Sequence, residues 1–195
     1  MDFTAIIASV RTFARLDQTD ESFFTSLLEP LSVRKKEYLL REGEVCRYDY
    51  FVRSGCLKVC YSDEKGKECV IKFAIENWWV TDLESFLLRK PAFFYIQAVE
   101  DTLLFRIGKS NHDLLHRQIP AFHQFSNLRW QNGFIALQQR IIQSHSLTAD
   151  ERYSHFRVKY PTLEQRISQK LIAAYIGVTP EFLSALRKKC ASGFS

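Results

Sequence analysis

RISQKLIAAYIGVTPEFLSALRKK, residues 166–189, reads as two short helices joined by a fixed turn. Ser168 is placed to cap the first, whose inward positions are Leu171, Ile172, Tyr175 and Ile176. Gly177 supplies the tight turn, and Val178 fills the gap behind it. Thr179 then stands as N-cap with Pro180 at the first helical position, where a missing N–H costs nothing. Phe182, Leu183 and Leu186 are expected to face the core. That leaves Thr179, Pro180, Glu181, Ser184, Ala185, Arg187, Lys188 and Lys189 for the outer surface, the pattern of a helix-turn-helix whose second helix enters the major groove of double-stranded DNA. Thr179, Arg187, Lys188 and Lys189 suit phosphates, Glu181 can accept a hydrogen bond from cytosine N4, and Ser184 can pair with several bases. A helix pair with only structural work shares the turn. The coincidence of cap, turn glycine, inward set and trailing Arg-Lys-Lys favours DNA.

Charge along the chain supports the same reading. Residues 120–195 hold 10 basic and 4 acidic side chains, whereas residues 1–119 hold 17 and 18, so the net charge of +5 sits entirely in the C-terminal part. Such asymmetry suits a polyanion-binding segment on a neutral body, although a solvated basic helix face gives the same count. With 195 residues, 46% hydrophobic and 25% charged, the chain has the composition of a core-forming protein rather than a disordered one. It has no uncharged apolar run near the roughly 18 residues that a membrane span needs, and no signal-cleavage pattern, so a cytoplasmic location without membrane partners is expected. Cys46, Cys56, Cys60, Cys69 and Cys190 are odd in number and lack Cys-x-x-Cys spacing, which predicts reduced structural thiols. Catalytic constellations of the Ser-His-Asp, Cys-His or phosphate-loop kind are absent from the sequence, which predicts a non-enzyme with no catalytic residues.

Upstream, residues 3–29 carry apolar positions at helical spacing, broken by a polar stretch and closed by Pro30, and predict two short helices. From Ser32 to Ile107 the texture turns to short β-type runs: 33–40, 48–52, 56–62, 68–75, 93–99 and 102–107, with Gly43, Gly55 and Gly66 at turns. This predicts a β jelly roll. Residues 110–118 return to helix, and 120–145 form a long helix with Trp130, Phe134, Leu137 and Ile141 on one face. Packing on its own β-domain would give that spacing too; the helix length and its lack of acidic residues favour a seam between two copies. Gly133 within it either weakens the helix or lets another approach closely. Thr148-x-x-Glu151 is a capping box opening a helix that stops at Pro161, and Thr162-x-x-Gln165 is a further helix start. The predicted class is α+β: a roll domain over 1–119, a dimerisation helix over 120–145, and a helix-turn-helix domain over 146–195.

With that order of parts, and with LLREGEVCRYDYFVRSGCLKVCY placing Gly43 and Gly55 at matching turns, the chain resembles the cyclic-AMP receptor protein and fumarate-nitrate regulator (Crp/Fnr) family, especially its cyclic-nucleotide-independent members. The resemblance implies a homodimeric transcription factor with a cyclic-nucleotide-binding-like domain, a near-palindromic DNA site, and RNA polymerase as a further partner.

Departures from the family are informative. Members that bind cyclic AMP hold its ribose and phosphate with Gly-Glu and, later, Arg-Ser or Arg-Thr; in register with NWWVTDLESFLLRKPAFFYIQAVED these become Thr81, Asp82, Ala92 and Phe93. The phosphate would lose both its cation and its hydroxyl donor, so cyclic AMP is not expected to bind by the family's mode. Arg89 is the nearby cation that could compensate. A non-nucleotide ligand among Trp78, Trp79, Phe93, Phe94 and Tyr95 is the alternative, against a plain core role for these rings. The first 45 residues contain no cysteine, so no N-terminal iron–sulfur cluster is expected. His112-x-x-x-His116 has metal-ligand spacing but no third ligand in sequence, which predicts a polar helix face and no metal site. After Lys189 only CASGFS follows, so the family's β-hairpin wing is expected to be short or absent.

Overall fold

The computed structural model describes residues 1–66 and 68–191, the side chains of 190 and 191 excepted. Residues 192–195, on which the expectation about the wing rests, and the side chain of Cys190 lie outside them. The chain divides into two compact units, Met1–Tyr61 with Lys72–Gly133, and Ser62–Ile71 with Phe134–Ser195. One boundary between them falls inside the long helix expected to separate the domains, and the other two assign Ser62–Ile71, expected within the roll, to the second unit.

Helices α1 (Thr4–Arg11) and α2 (Gln18–Ser26) open the first unit. Asp17 caps α2, its side chain accepting from the Asp20 N–H at 2.8 Å. Among the described residues eight strands follow: β1 (Glu29–Val33), β2 (Tyr38–Leu40), β3 (Tyr48–Ser54), β4 (Leu57–Ser62), β5 (Glu68–Ala74), β6 (Trp79–Val80), β7 (Tyr95–Ala98) and β8 (Thr102–Gly108). They form two four-stranded sheets, ordered β1-β8-β3-β6 and β2-β7-β4-β5, as the jelly-roll reading requires.

Several local expectations change. Pro30 does not close a helix but lies in β1, at the edge of its sheet, where a residue without an N–H is tolerated. The run 33–40 is not one strand; a turn with Lys36 at φ 74° splits it into β1 and β2, which belong to different sheets. A helix not expected from the sequence, α3 (Leu83–Leu88), sits between β6 and β7, capped by Asp82. Gly55 needs its identity twice over: its φ is +101°, and a Cβ there would lie 2.5 Å from Thr102 Oγ1.

Helices cover one face of the first sheet. Ile6 and Val10 of α1, Phe24 of α2, Leu115 of α4 (Lys109–Gln118), and Phe122 and Phe125 of α5 (Pro120–Ser146) form one buried cluster with Phe51 and Phe105, which are cross-strand partners on β3 and β8. This explains why β3 reads as a continuous buried run rather than an alternating one: both of its faces are covered.

The second unit contains Ser62–Ile71, the later half of α5 and helices α6 (Ala149–Lys159), α7 (Leu163–Arg166), α8 (Gln169–Ile176) and α9 (Pro180–Ala191). The Thr148 capping box forms in full, with the Glu151 carboxylate accepting from the Thr148 N–H at 2.8 Å and Thr148 Oγ1 accepting from the Glu151 N–H. Thr162 and Ser168 precede α7 and α8 but make no side-chain cap bond, contrary to expectation.

Candidate nucleic-acid interface and nucleotide cassette

Helix α8 ends where Gly177 takes a left-handed φ of 77° and its N–H donates to the Ala173 carbonyl at 2.9 Å. The carbonyls left open at that end are taken by two arginines. Arg140 Nη2 donates to Tyr175 O at 2.8 Å and to Val70 O at 2.9 Å, while Arg152 Nε donates to Ile176 O at 2.8 Å. Positive charge at a helix C-terminus also suits its dipole. Three residues after Gly177, α9 begins, and Thr179 Oγ1 accepts from the Phe182 N–H at 3.2 Å.

Leu183 and Leu186 are buried, fixing the inward face of α9. Thr179, Pro180, Glu181, Ala185, Lys188 and Lys189 are exposed and Ser184 half-buried, so the structure gathers most of the sequence-predicted set on one outward stripe. Two residues depart from the sequence reading. Arg187 turns to Glu164, 3.1 Å away, which also receives Arg157 at 3.4 Å and the Tyr153 hydroxyl, so its guanidinium is held by the domain itself. Phe182, expected in the core, is 53% exposed. A core stripe at i, i+1 and i+4 fits 182, 183 and 186 equally well on paper; the packed stripe is the narrower one through 183 and 186.

In the first unit, Thr81, Arg89 and Ala92 of the cassette bond to residues 43–48, and Asp82 bonds to the first turn of α3. Thr81 Oγ1 donates to Tyr48 O at 3.1 Å. Asp82 is buried, and its carboxylate accepts from the Ser85 N–H at 3.1 Å; burial pushes this carboxyl up, against the opposing pull of the Ser85 N–H. The Ala92 N–H donates to Glu44 O at 2.7 Å, and Ala92 O accepts from the Gly43 N–H at 2.8 Å. Arg89 sits at φ 59° and donates from Nη1 to Cys46 O at 2.9 Å. Phe93, by contrast, is 73% exposed.

The five aromatics considered as a ligand box do not share one site. Trp78 and Trp79 line a cleft of about 490 Å³ with Phe13, Phe125 and Arg129, whereas Phe93 faces the Tyr61 ring and Tyr95 the Tyr38 ring. Trp79 Nε1 donates to Ser9 Oγ at 3.1 Å. Arg129 stacks over Trp79 and pairs with buried Asp49 at 2.6 Å; burial drives the Asp49 carboxyl up, and the guanidinium pulls it back.

His112 does not lie on a polar helix face: it is buried among Phe86, Phe122 and Trp130, and burial pushes its pKa down to about 3. His116, one turn on, contacts His123 of α5 at 2.7 Å between Nδ1 atoms. Among the described residues no group of three or more His, Cys, Asp or Glu is arranged to hold a metal ion, and none of the described cysteines forms a disulfide. Nor is any described helix long and apolar enough to cross a membrane. Trp130 of the expected dimer seam is half-buried against His112 and His116, while Phe134, Leu137 and Ile141 are exposed together with Ile135 and Ile142, which the sequence reading left out.

Residues 30–118 match the cyclic nucleotide-binding domain family. No curated protein matches the chain. Among solved structures, FixK2 from Bradyrhizobium japonicum is 17% identical over 86% of this chain and 88% of that one, with a TM-score of 0.74. The c-di-GMP responsive global regulator CLP from Xanthomonas campestris is 13% identical over 90% and 92%, with a TM-score of 0.71. The catabolite activator protein of Thermus thermophilus is 19% identical over 91% and 84%, with a TM-score of 0.55. The chain therefore carries a cyclic nucleotide-binding domain fold at residues 30–118 and, along most of its length, the fold of the Crp/Fnr transcriptional regulators.

Proposed function

We propose that this protein is a homodimeric, sequence-specific DNA-binding regulator that reads its site with α9. The observation that carries the reading is the outward stripe of α9: a capped N-terminus, Glu181 and Ala185 one turn apart, and Lys188 and Lys189 at the far end, all exposed above buried Leu183 and Leu186. Exposed apolar residues on the later half of α5 support a second copy as partner, which would present two such helices to half-sites about one DNA turn, roughly 34 Å, apart.

The cassette supports a regulator that does not hold a cyclic nucleotide by its phosphate. Ala92 and Phe93 offer neither cation nor hydroxyl, and Asp82 serves as the cap of α3. No cofactor is proposed, and the first 45 residues offer no cysteine for an iron–sulfur cluster. A second reading, a sensor for a non-nucleotide ligand on the same fold, is favoured by the cleft beside Trp79 and Phe125.

Selection from random duplex pools followed by gel shifts tests the main reading. The pools should enrich a near-palindrome. Lys188→Ala should weaken all sequences alike and lower the salt slope of the dimer by about two, one for each half-site, because a phosphate contact releases counterions without reading a base. Glu181→Ala should instead relax preference at one position per half-site, by about 1 to 3 kcal/mol. Pools that enrich no palindrome, or two variants with identical effects, would sink it. Calorimetry with cyclic AMP should show no micromolar binding.

A further inference from the structure

Phe182 is the large apolar residue that, among the described side chains of α9, the fold leaves outside, and its place on the helix gives it a role. It is the third residue of α9, next to Glu181 and one turn before Ala185, on the side that ends at Lys189. Its backbone N–H is held by Thr179 Oγ1, so the ring is rooted at a fixed point of the first turn. A helix-turn-helix brings this turn to the base edges. A phenyl ring can neither donate nor accept a conventional hydrogen bond. In the major groove, the apolar feature that distinguishes one base from the others is the C5 methyl of thymine. Ala185, small and exposed one turn on, extends the same apolar surface without covering the ring.

We propose that Phe182, with Ala185 beside it, seats a thymine methyl group in each half-site and so sets the preference at that position. This rests on the reading of α9 as the base-reading helix. The neighbouring Glu181 carboxylate repels phosphate and accepts from cytosine N4, so the two side chains together favour a pyrimidine-rich strand at the start of each half-site.

Replacing each thymine of the selected site in turn by deoxyuridine removes the methyl and leaves every hydrogen-bonding group in place. For the wild type, one such position per half-site should weaken binding roughly fourfold, the effect of exposing a single buried methyl, and replacing both symmetric positions should weaken it roughly sixteenfold. Phe182→Ala should bind the thymine and deoxyuridine sites equally, and Phe182→Leu should keep part of the difference. Because the ring is exposed, both variants should melt with the wild type, which separates lost reading from lost folding. A wild type that selects a site yet tolerates deoxyuridine everywhere, or a Phe182→Ala protein that keeps the full deoxyuridine penalty, overturns the inference while leaving α9 as the reading helix. If no site is selected at all, both readings fall.

Discussion

The two halves of α5 are written in the same kind of sequence and meet different surroundings. In Pro120–Gly133, Phe122 and Phe125 are buried against Phe51 and Phe105, and Arg129 is paired with buried Asp49. In Phe134–Ser146, Phe134 is 62% exposed and Ile135, Leu137, Ile141 and Ile142 are exposed with it. Gly133 stands at the change. A Cβ there would meet nothing within 4 Å, so in this chain the glycine is not making room for a neighbour. Helical periodicity announces that a face is to be covered; it does not name the cover. For the first half the cover is a sheet of the same chain. For the second, the proposed cover is another copy, and each of these half-exposed apolar side chains would contribute about 1 kcal/mol or a little more on burial, before the cost of association.

Three experiments press on that contrast. Arg129→Ala should strike the buried half hardest, because it strands the Asp49 carboxylate without its partner. A loss of about 3 to 5 kcal/mol is expected in urea denaturation, and Asp49→Asn in the Arg129→Ala background should recover part of it. If Arg129→Ala costs less than 1 kcal/mol, the pair is not holding α5 to the sheet.

A smaller effect comes from acid. His112 binds its proton in the unfolded chain below about 6.5 but in the folded chain only below about 3, since burial disfavours the charged ring and the neighbouring His116 and Arg129 add to this against Asp113. Its contribution is complete above pH 6.5 and is lost as pH falls toward 3, by up to about 1.4 kcal/mol per pH unit. His112→Phe, placed among Phe86, Phe122 and Trp130, should therefore flatten the fall in stability between pH 6.5 and 5.5. An unchanged slope would show that the ring is not kept neutral by the fold.

The least effect on the folding of a single chain should come from the exposed half. Phe134→Asp with Leu137→Asp should leave the helical circular dichroism signal intact while light scattering drops from the mass of two chains to that of one. A wild type already monomeric at micromolar concentration would remove the seam and leave the two halves of α5 differing only in exposure.

How far the sequence could be read depended on the distance over which each feature acts. The Thr148 capping box and the Gly177 turn act within one helical turn and are found as expected. Leu183 and Leu186 were legible as inward positions, because a cap and a turn fix the phase of α9. Phe182 was not, since a helix stripe of uncertain width takes either one residue or two at its margin. The helix α3 is not legible because its six residues are too few for periodicity, and Asp82, which stands at the family's glutamate position in sequence register, caps that helix instead. Arg187 looked free for phosphate until Glu164 was brought beside it.

By itself, then, the sequence determined the order of roll, long helix and helix-turn-helix and the charge of the C-terminal part. Those follow from composition and from rules that operate over a few residues. Only the tertiary structure decided that Arg129 reaches Asp49, 80 residues away, that Arg140 closes the end of α8, that His112 is buried, and that α5 changes character at Gly133. Such pairings depend on which sheet and which helix the topology sets side by side, and no local propensity carries that information.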